Sequence, residues 1–318
     1  MPGRPDIRRL IHPGDRHTLT SLSMLDVRPL TGAIGAEVTG VNLATLDGAE
    51  WAAVRAAWLE HLVVFFPGQD LDADAHVRFA RRLGEPEIHP YIPKLDGSHP
   101  EIVVLDSAQG AKADVWHTDV TFSPTPPMAS ILHMVTCPPR GGDTIWTNQY
   151  LAFETLSAPM RDLVAGLTAV HTASPFGHPE ITATHPAVHT HPETGRRSLF
   201  VNRTFTSHFV ELRRSESDVL LAYLCAWSEQ PRFQCRYRWS AGTVGMWDNR
   251  CTQHYAVDDY EERRVIQRVT VLGDAPIGGE QRWQPFSDIR NSAADGYGSG
   301  VRRVVETDGR TNSIRTQP

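Results

Sequence analysis

Hydrophobic and polar residues follow two regimes along the chain, divided near Gly84. Before it, Trp51, Val54, Trp58 and Leu62 recur at helical spacing behind Leu46-Asp47-Gly48, which predicts an amphipathic helix. The apolar run Val63-Val64-Phe65-Phe66, closed by Pro67-Gly68, predicts a buried strand. A second helix is expected over about 72–83, stopped by Gly84, and 27–41 reads as strand, glycine turn, strand.

After Gly84 the pattern shortens. Strands are expected at 102–105, 130–135, 143–147, 167–172, 187–190, 198–201, 233–239, 243–247 and 264–272. The clearest alternation sets Phe233, Cys235, Tyr237 and Trp239 against Gln234, Arg236 and Arg238, as a half-buried strand requires. Helices interrupt after Ser157 and after Ser215, where Ser215-Glu216-Ser217-Asp218 fits a capping box. Many short strands with few outer helices predict a mainly β domain with flanking helices, a sandwich or jelly roll. That single domain is expected over 25–276, behind a disordered leader (1–24) and ahead of a mobile Gly-, Ser- and Arg-rich tail (277–318).

Composition narrows the function classes. A chain of 318 residues can bury a sufficient core without staples. The net charge of −6, with both signs interspersed, argues against a nucleic-acid surface. No apolar run spans a bilayer and no secretory signal opens the chain. Cys137, Cys225, Cys235 and Cys251 lie in no CxxC pair, so they read as free thiols in a cytoplasmic protein.

Chemistry enters at Trp116-His117-Thr118-Asp119. An imidazole and a carboxylate two residues apart on an extended segment point to one side and can aim at one ion. Among fifteen histidines such a pair arises by chance about once, and a surface His beside a turn Asp explains it equally well. Two features of the second half shift the balance. His254 closes Trp247-Asp248-Asn249-Arg250-Cys251-Thr252-Gln253-His254, and the strand after it carries Arg264 and Arg268 on one face, opposite Val265, Val269 and Val271. Two guanidiniums on one face of a buried strand need anions to meet them; an edge strand with both in solvent is the alternative. Two His and one carboxylate on one face are the ligands of non-haem Fe(II) oxygenases. A zinc hydrolase uses the same donors but has no need of the arginines.

The chain resembles the taurine dioxygenase family of Fe(II)- and 2-oxoglutarate-dependent dioxygenases over about 25–276. The resemblance rests on Gly84-Glu85-Pro86-Glu87-Ile88-His89-Pro90, Trp116 to Phe122, Gly141-Gly142-Asp143-Thr144, Leu199 to Asn202, Trp247 to His254, and Arg264 with Arg268. It implies a double-stranded β-helix (jelly roll) in which His117, Asp119 and His254 hold Fe(II). Thr144 and Arg264 would receive the distal carboxylate of 2-oxoglutarate, the cosubstrate, with O2 as the oxidant. His89, Tyr91, Phe176, Phe205 and Arg268 would hold a small anionic substrate. Taurine or another alkylsulfonate is the first expectation, with release of sulfite, an aldehyde, succinate and CO2. Alkyl sulfate esters, phenoxyalkanoates and other carboxylates follow. Taurine-specific members carry an Asn before the Trp-His-x-Asp motif where this chain has Ala113 or Asp114, and Tyr91 is displaced by one position. The resemblance further implies a homo-oligomer, dimer or tetramer.

Overall fold

The computed structural model describes residues 25–89, 92–110 and 113–287. The first half runs β1 (Asp26–Pro29), β2 (Ala36–Thr39), α1 (Gly48–His61), β3 (Val63–Phe66), α2 (Ala73–Ala80), β4 (Ile102–Asp106), β5 (Ala129–Thr136), β6 (Thr144–Asn148), α3 (Gln149–Glu154) and α4 (Ala158–Val164). The second half runs β7 (Thr168–Ala173), β8 (His178–Pro186), β9 (Val188–Thr190), β10 (Arg197–Leu199), β11 (Thr206–Phe209), α5 (Arg214–Ser228), β12 (Gln234–Tyr237), β13 (Val244–Asp248), β14 (Thr252–Ala256) and β15 (Val265–Val271).

A seven-stranded sheet ordered β1-β2-β3-β13-β5-β15-β4 faces a three-stranded sheet ordered β12-β6-β14. Strand period assigns the faces. Val63 and Phe65 of β3, Leu132 and Met134 of β5, Trp247 of β13 and Ile266 of β15 meet Trp146, Cys235 and Tyr237 from the smaller sheet. The alternate residues Val64, Phe66, Ile131, Met246, Val269 and Val271 turn outward and pack against Val54 and Trp58 of α1 and Val77 and Phe79 of α2. The result is a jelly roll with two helices sealing the back of its larger sheet. A separate core beneath α5 joins Leu224 to Phe153, Val188, Leu199 and Phe209.

Local chemistry fixes the ends of the elements. Asp47 Oδ1 accepts the Glu50 N–H at 2.8 Å while Glu50 Oε2 accepts the Asp47 N–H at 2.9 Å, a capping box that starts α1. Helix α5 begins at Arg214, where Glu216 Oε2 accepts the Arg213 N–H at 3.1 Å. The expected cap at Ser215 is therefore displaced into the first turn, and Ser217 Oγ instead accepts the Phe209 N–H at 2.9 Å. Three strands and a helix escape the hydrophobic pattern. β8 is largely exposed and lacks alternation; β11 and β14 are short; α3 follows β6 without a break, capped by Asn148 Oδ1 on the Leu151 N–H at 3.0 Å.

The expected tail does not leave the body at 277. Ile277 N–H donates to His189 Nδ1 at 3.0 Å, Gln281 Nε2 to Glu211 Oε1 at 2.9 Å, and Phe286 N–H to Val210 O at 2.9 Å. Thr190 N–H of β9 also donates to Ile277 O at 2.6 Å. Residues 1–24 and 288–318, and with them the leader and the rest of the tail, lie outside the described residues. Among the described residues no helix is long and apolar enough to cross a membrane.

Candidate active site

Between the two sheets lies a cavity of about 560 Å³. His89, His117, Asp119, Thr144, Phe176, Phe205, His254, Arg264 and Arg268 all line it. Of the ten residues named from the sequence, Tyr91 alone lies outside the described residues.

Three donors converge. Asp119 Oδ1 stands 3.7 Å from His117 Nε2 and 3.9 Å from His254 Nε2. Two ligands each about 2.1 Å from one ion lie no more than about 4.2 Å apart, so a single ion can touch both members of each pair. His117 and His254 exchange backbone hydrogen bonds, N–H to O at 3.1 and 2.8 Å, which brings chain segments far apart in sequence into one bridge. His117 Nδ1 donates to Val115 O at 2.7 Å, which leaves Nε2 with its lone pair toward the cavity. Ser130 Oγ donates to Asp119 Oδ2 at 2.9 Å and Arg268 Nη1 to Oδ1 at 3.0 Å.

Electrostatics put these groups in the state that a divalent cation needs. Burial alone would raise the Asp119 carboxyl, but Arg268 first, then His254, His117 and the Ser130 hydroxyl hold it well below the usual range. Burial pushes both imidazoles down, His254 further because His117 stands beside it. The triad therefore offers two neutral imidazoles and a carboxylate, a set that fits one divalent ion.

A second cluster, His191, Asp248 and Cys251, is also compact. Its donors are already committed. Asp248 Oδ2 accepts from His191 Nε2 at 2.9 Å and from Arg250 Nη2 at 2.7 Å, while Oδ1 accepts from Arg250 Nε at 2.9 Å. Burial also holds the Cys251 thiol protonated. This is a closed ion-pair network that locks the β13–β14 turn.

Arg268 lies on β15 and Arg264 just ahead of it, both on the inward side with Ile266 between them, about 13 Å apart along the chain. Arg264 is 8% exposed; its Nε donates to Gly142 O at 3.2 Å, and no carboxylate pairs with it among the described residues. Burial lowers its pKa, since desolvation disfavours the charged form. Thr144 Oγ1 accepts the Trp239 indole N–H at 2.9 Å, which leaves the hydroxyl hydrogen available. The turn ahead of Thr144 needs glycine: Gly141 has φ +71° and a Cβ there would strike the Asp259 carbonyl. Asp259 Oδ1 in turn accepts the Gly142 N–H at 2.8 Å, binding the loop before Arg264 to the turn before Thr144.

Near Arg268, His89 is 3% exposed and its pKa falls to about 4, through burial first and then the adjacent guanidinium. The opposite wall is aromatic. Phe205 lies 5.3 Å from Phe122 and 6.0 Å from Phe176 between ring centroids. Trp247 borders the cavity with its ring 4.9 Å from that of His254, whereas Trp239 acts through Thr144. Ser130 and Asn249 were not legible as site residues, since each acts by a hydrogen bond to Asp119 that no periodicity marks.

The family model for "Taurine catabolism dioxygenase TauD, TfdA family" matches residues 26–270. The chain belongs to the TauD/TfdA family. It is accordingly a 2-oxoglutarate-dependent non-haem iron dioxygenase. A Pseudomonas putida alpha-ketoglutarate-dependent sulfate ester dioxygenase is 42% identical over 277 residues, covering 80% of this chain and 91% of that protein. An alkylsulfatase of Acinetobacter baylyi is 38% identical, covering 80% and 87%. The crystal structure of a taurine dioxygenase from Burkholderia xenovorans, 42% identical, superposes with a TM-score of 0.74 over 83% of this chain and 97% of that one. TauD/TfdA relatives so similar to this chain thus bear names for sulfate esters and for taurine alike.

Proposed function

We propose that this dioxygenase oxidises the carbon bearing the anionic group of a small organosulfur oxyanion with an apolar chain, an alkyl sulfate ester first. His117, Asp119 and His254 hold Fe(II), and Arg264 with Thr144 takes the distal carboxylate of 2-oxoglutarate. Arg268 and His89 take the substrate's oxyanion. The metal, once bound, couples the oxidative decarboxylation of 2-oxoglutarate by O2 to C–H oxidation of the substrate. The chain's own part is to bind, orient and keep water out. Hydroxylation at the carbon next to oxygen gives a product that collapses to an aldehyde and sulfate.

The observation that carries the substrate class is the contrast within one cavity. A guanidinium and a buried imidazole (Arg268, His89) face a wall of Val115, Val120, Pro175, Phe176 and Phe205. Ala113 or Asp114 stands where taurine-specific members carry an amine-binding Asn, so that carboxamide is missing from the lining. An anionic head with a hydrocarbon tail satisfies both surfaces. The alkylsulfonate reading, first expected from the sequence, moves to second place, kept because Arg268 and His89 match positions that receive a sulfonate in the family. The four cysteines form no disulfide with one another, which fits a cytoplasmic setting.

The test supplies Fe(II), 2-oxoglutarate and O2 with alkyl sulfates of graded length, matched alkylsulfonates and taurine. Aldehyde and sulfate from the alkyl sulfates, in step with succinate, are expected. Turnover confined to taurine or to phenoxyalkanoates would overturn the substrate assignment. Release of alcohol and sulfate without O2 or 2-oxoglutarate would instead mean hydrolysis on the same ligand set.

A further inference from the structure

Asp119 belongs to none of the strands, yet its carboxylate must be aimed to within a fraction of an ångström. Its backbone is held by a side chain. Asn249 Oδ1 accepts the Asp119 N–H at 2.9 Å, and Asn249 Nδ2 donates to the Asp119 carbonyl at 3.0 Å. The second Nδ2 hydrogen goes to Pro127 O at 2.9 Å, and the Asn249 N–H to Met128 O at 3.0 Å. The carboxamide thus does what the peptide group of a neighbouring strand would do, accepting from one N–H and donating to one C=O. Asn249 is 1% exposed, so water has no ready route to replace it.

The clamp stands beside backbone strain. Val120, next after the ligand, sits at φ +54°, the left-handed region that a β-branched residue avoids. Such a conformation persists where its surroundings over-determine it. Here Asn249 grips the residue before and Pro127 beyond, while Thr118 Oγ1 donates to Thr252 O at 2.9 Å. Asn249 sits on the β13–β14 turn and Thr252 opens β14, and that turn is itself locked by the Asp248–Arg250–His191 network. The same turn leads into His254, whose backbone bridges His117.

We infer that Asn249 is a positioning residue of the metal centre, keying the backbone of Asp119 to the turn that presents His254. Its carboxamide uses an acceptor and two donors at once, a combination that neither Asp nor Ser supplies. The inference rests on the reading that His117, Asp119 and His254 hold the metal, and its test separates the two.

Mn(II) is titrated into the metal-free full-length chain, with the free ion followed by electron paramagnetic resonance, for the wild type, Asn249→Ala and His254→Ala. Loss of a residue that orients a ligand typically weakens metal affinity about 10- to 100-fold, the expected effect of Asn249→Ala. Hydrogen exchange of the metal-free variant should rise in the peptide spanning Asp119 while β13 and β15 stay protected. The KM for 2-oxoglutarate at saturating Fe(II) should stay within about twofold, since Arg264 and Thr144 are untouched. Equal Mn(II) affinity in wild type and His254→Ala would sink the triad reading itself. If His254→Ala loses Mn(II) but Asn249→Ala binds within twofold of wild type with unchanged exchange at Asp119, the inference on Asn249 is overturned. Should Asn249→Ala not fold, Asn249→Ser takes its place with the same expected direction. Global loss of protection in both would make Asn249 a residue of the fold and overturn the inference.

Discussion

Replacing Arg264 by Met should have opposite effects on the empty and the cosubstrate-bound enzyme. The wild-type guanidinium is buried, hydrogen-bonded through Nε to Gly142 O, and without a carboxylate partner among the described residues. Met retains most of the stem volume, loses one hydrogen bond worth about 1 kcal/mol and removes a desolvated cation whose effective penalty is several kcal/mol. The cosubstrate-free variant should therefore unfold at the wild-type Tm or a few degrees above it. With 2-oxoglutarate the sign reverses. Truncating one partner of a buried charge pair costs about 2 to 5 kcal/mol, which weakens 2-oxoglutarate binding about 30-fold to several thousandfold. Calorimetric unfolding under anaerobic conditions with Mn(II), with and without 2-oxoglutarate, reads both effects. At a concentration of 100 Kd the wild type gains about 2.7 kcal/mol, and the variant should gain almost nothing at that concentration. A variant destabilised by more than about 1 kcal/mol when empty, yet still stabilised normally by 2-oxoglutarate, would refute the reasoning and make Arg264 a structural cation.

Three further outcomes are expected. Arg268→Ala should raise the substrate KM at least tenfold and also weaken Mn(II) binding, because its Nη1 lies 3.0 Å from Asp119 Oδ1; unchanged metal affinity in equilibrium titration would show that this bond is dispensable. Thr144→Ala should leave the buried Trp239 N–H unpaired at about 1 to 3 kcal/mol and raise the KM for 2-oxoglutarate, while Thr144→Ser restores both, read by urea unfolding and steady-state kinetics. The metal-free enzyme should lose stability in acid. Burial lowers His76 from 6.5 to about 4 while its Nε2 bonds Ile131 O at 3.0 Å, and His189 is lowered to about 4 as well. These groups protonate more readily unfolded, so their contribution is full above pH 6.5 and is lost as pH falls towards 4; for His76 it is on the order of 3 kcal/mol. A flat urea midpoint from pH 7 to 4.5 would contradict this.

The parts of the fold that depend on period were legible. Val63 to Phe66 reads as a buried strand because both its faces are covered, one by Trp146 and Tyr237, the other by α1 and α2. The even-numbered inward face of β15 holds despite a register shift between Val265 and Ile266. β8 carries Pro at two positions and exposes most of its side chains, so hydrophobicity could not mark it. At the candidate site, His117, Asp119 and the two arginines could be named from the sequence, and the structure brings them to one cavity. Asn249 was not, because an amide that bonds a backbone far away in sequence carries no local signature. The cap of α5 stands at Arg213 because Glu216 accepts the Arg213 N–H, while Asp218 accepts from Arg214 Nε instead of serving Ser215.

The head and tail of a ligand in this cavity would be read by different parts of the chain. Arg268 projects from the middle of a sheet, between β4 and β5, where hydrogen bonds on both sides fix the strand. Phe176 and Phe205 line the cavity from outside the strands, and Phe176 is 41% exposed. Mutational drift can therefore resize the tail compartment without disturbing the residues that handle oxygen and charge. An apolar wall also discriminates gently, about 1 to 3 kcal/mol per methylene, whereas a lost polar match costs far more. Strict in charge and lenient in length, such a scaffold can change its diet by exchanging two rings.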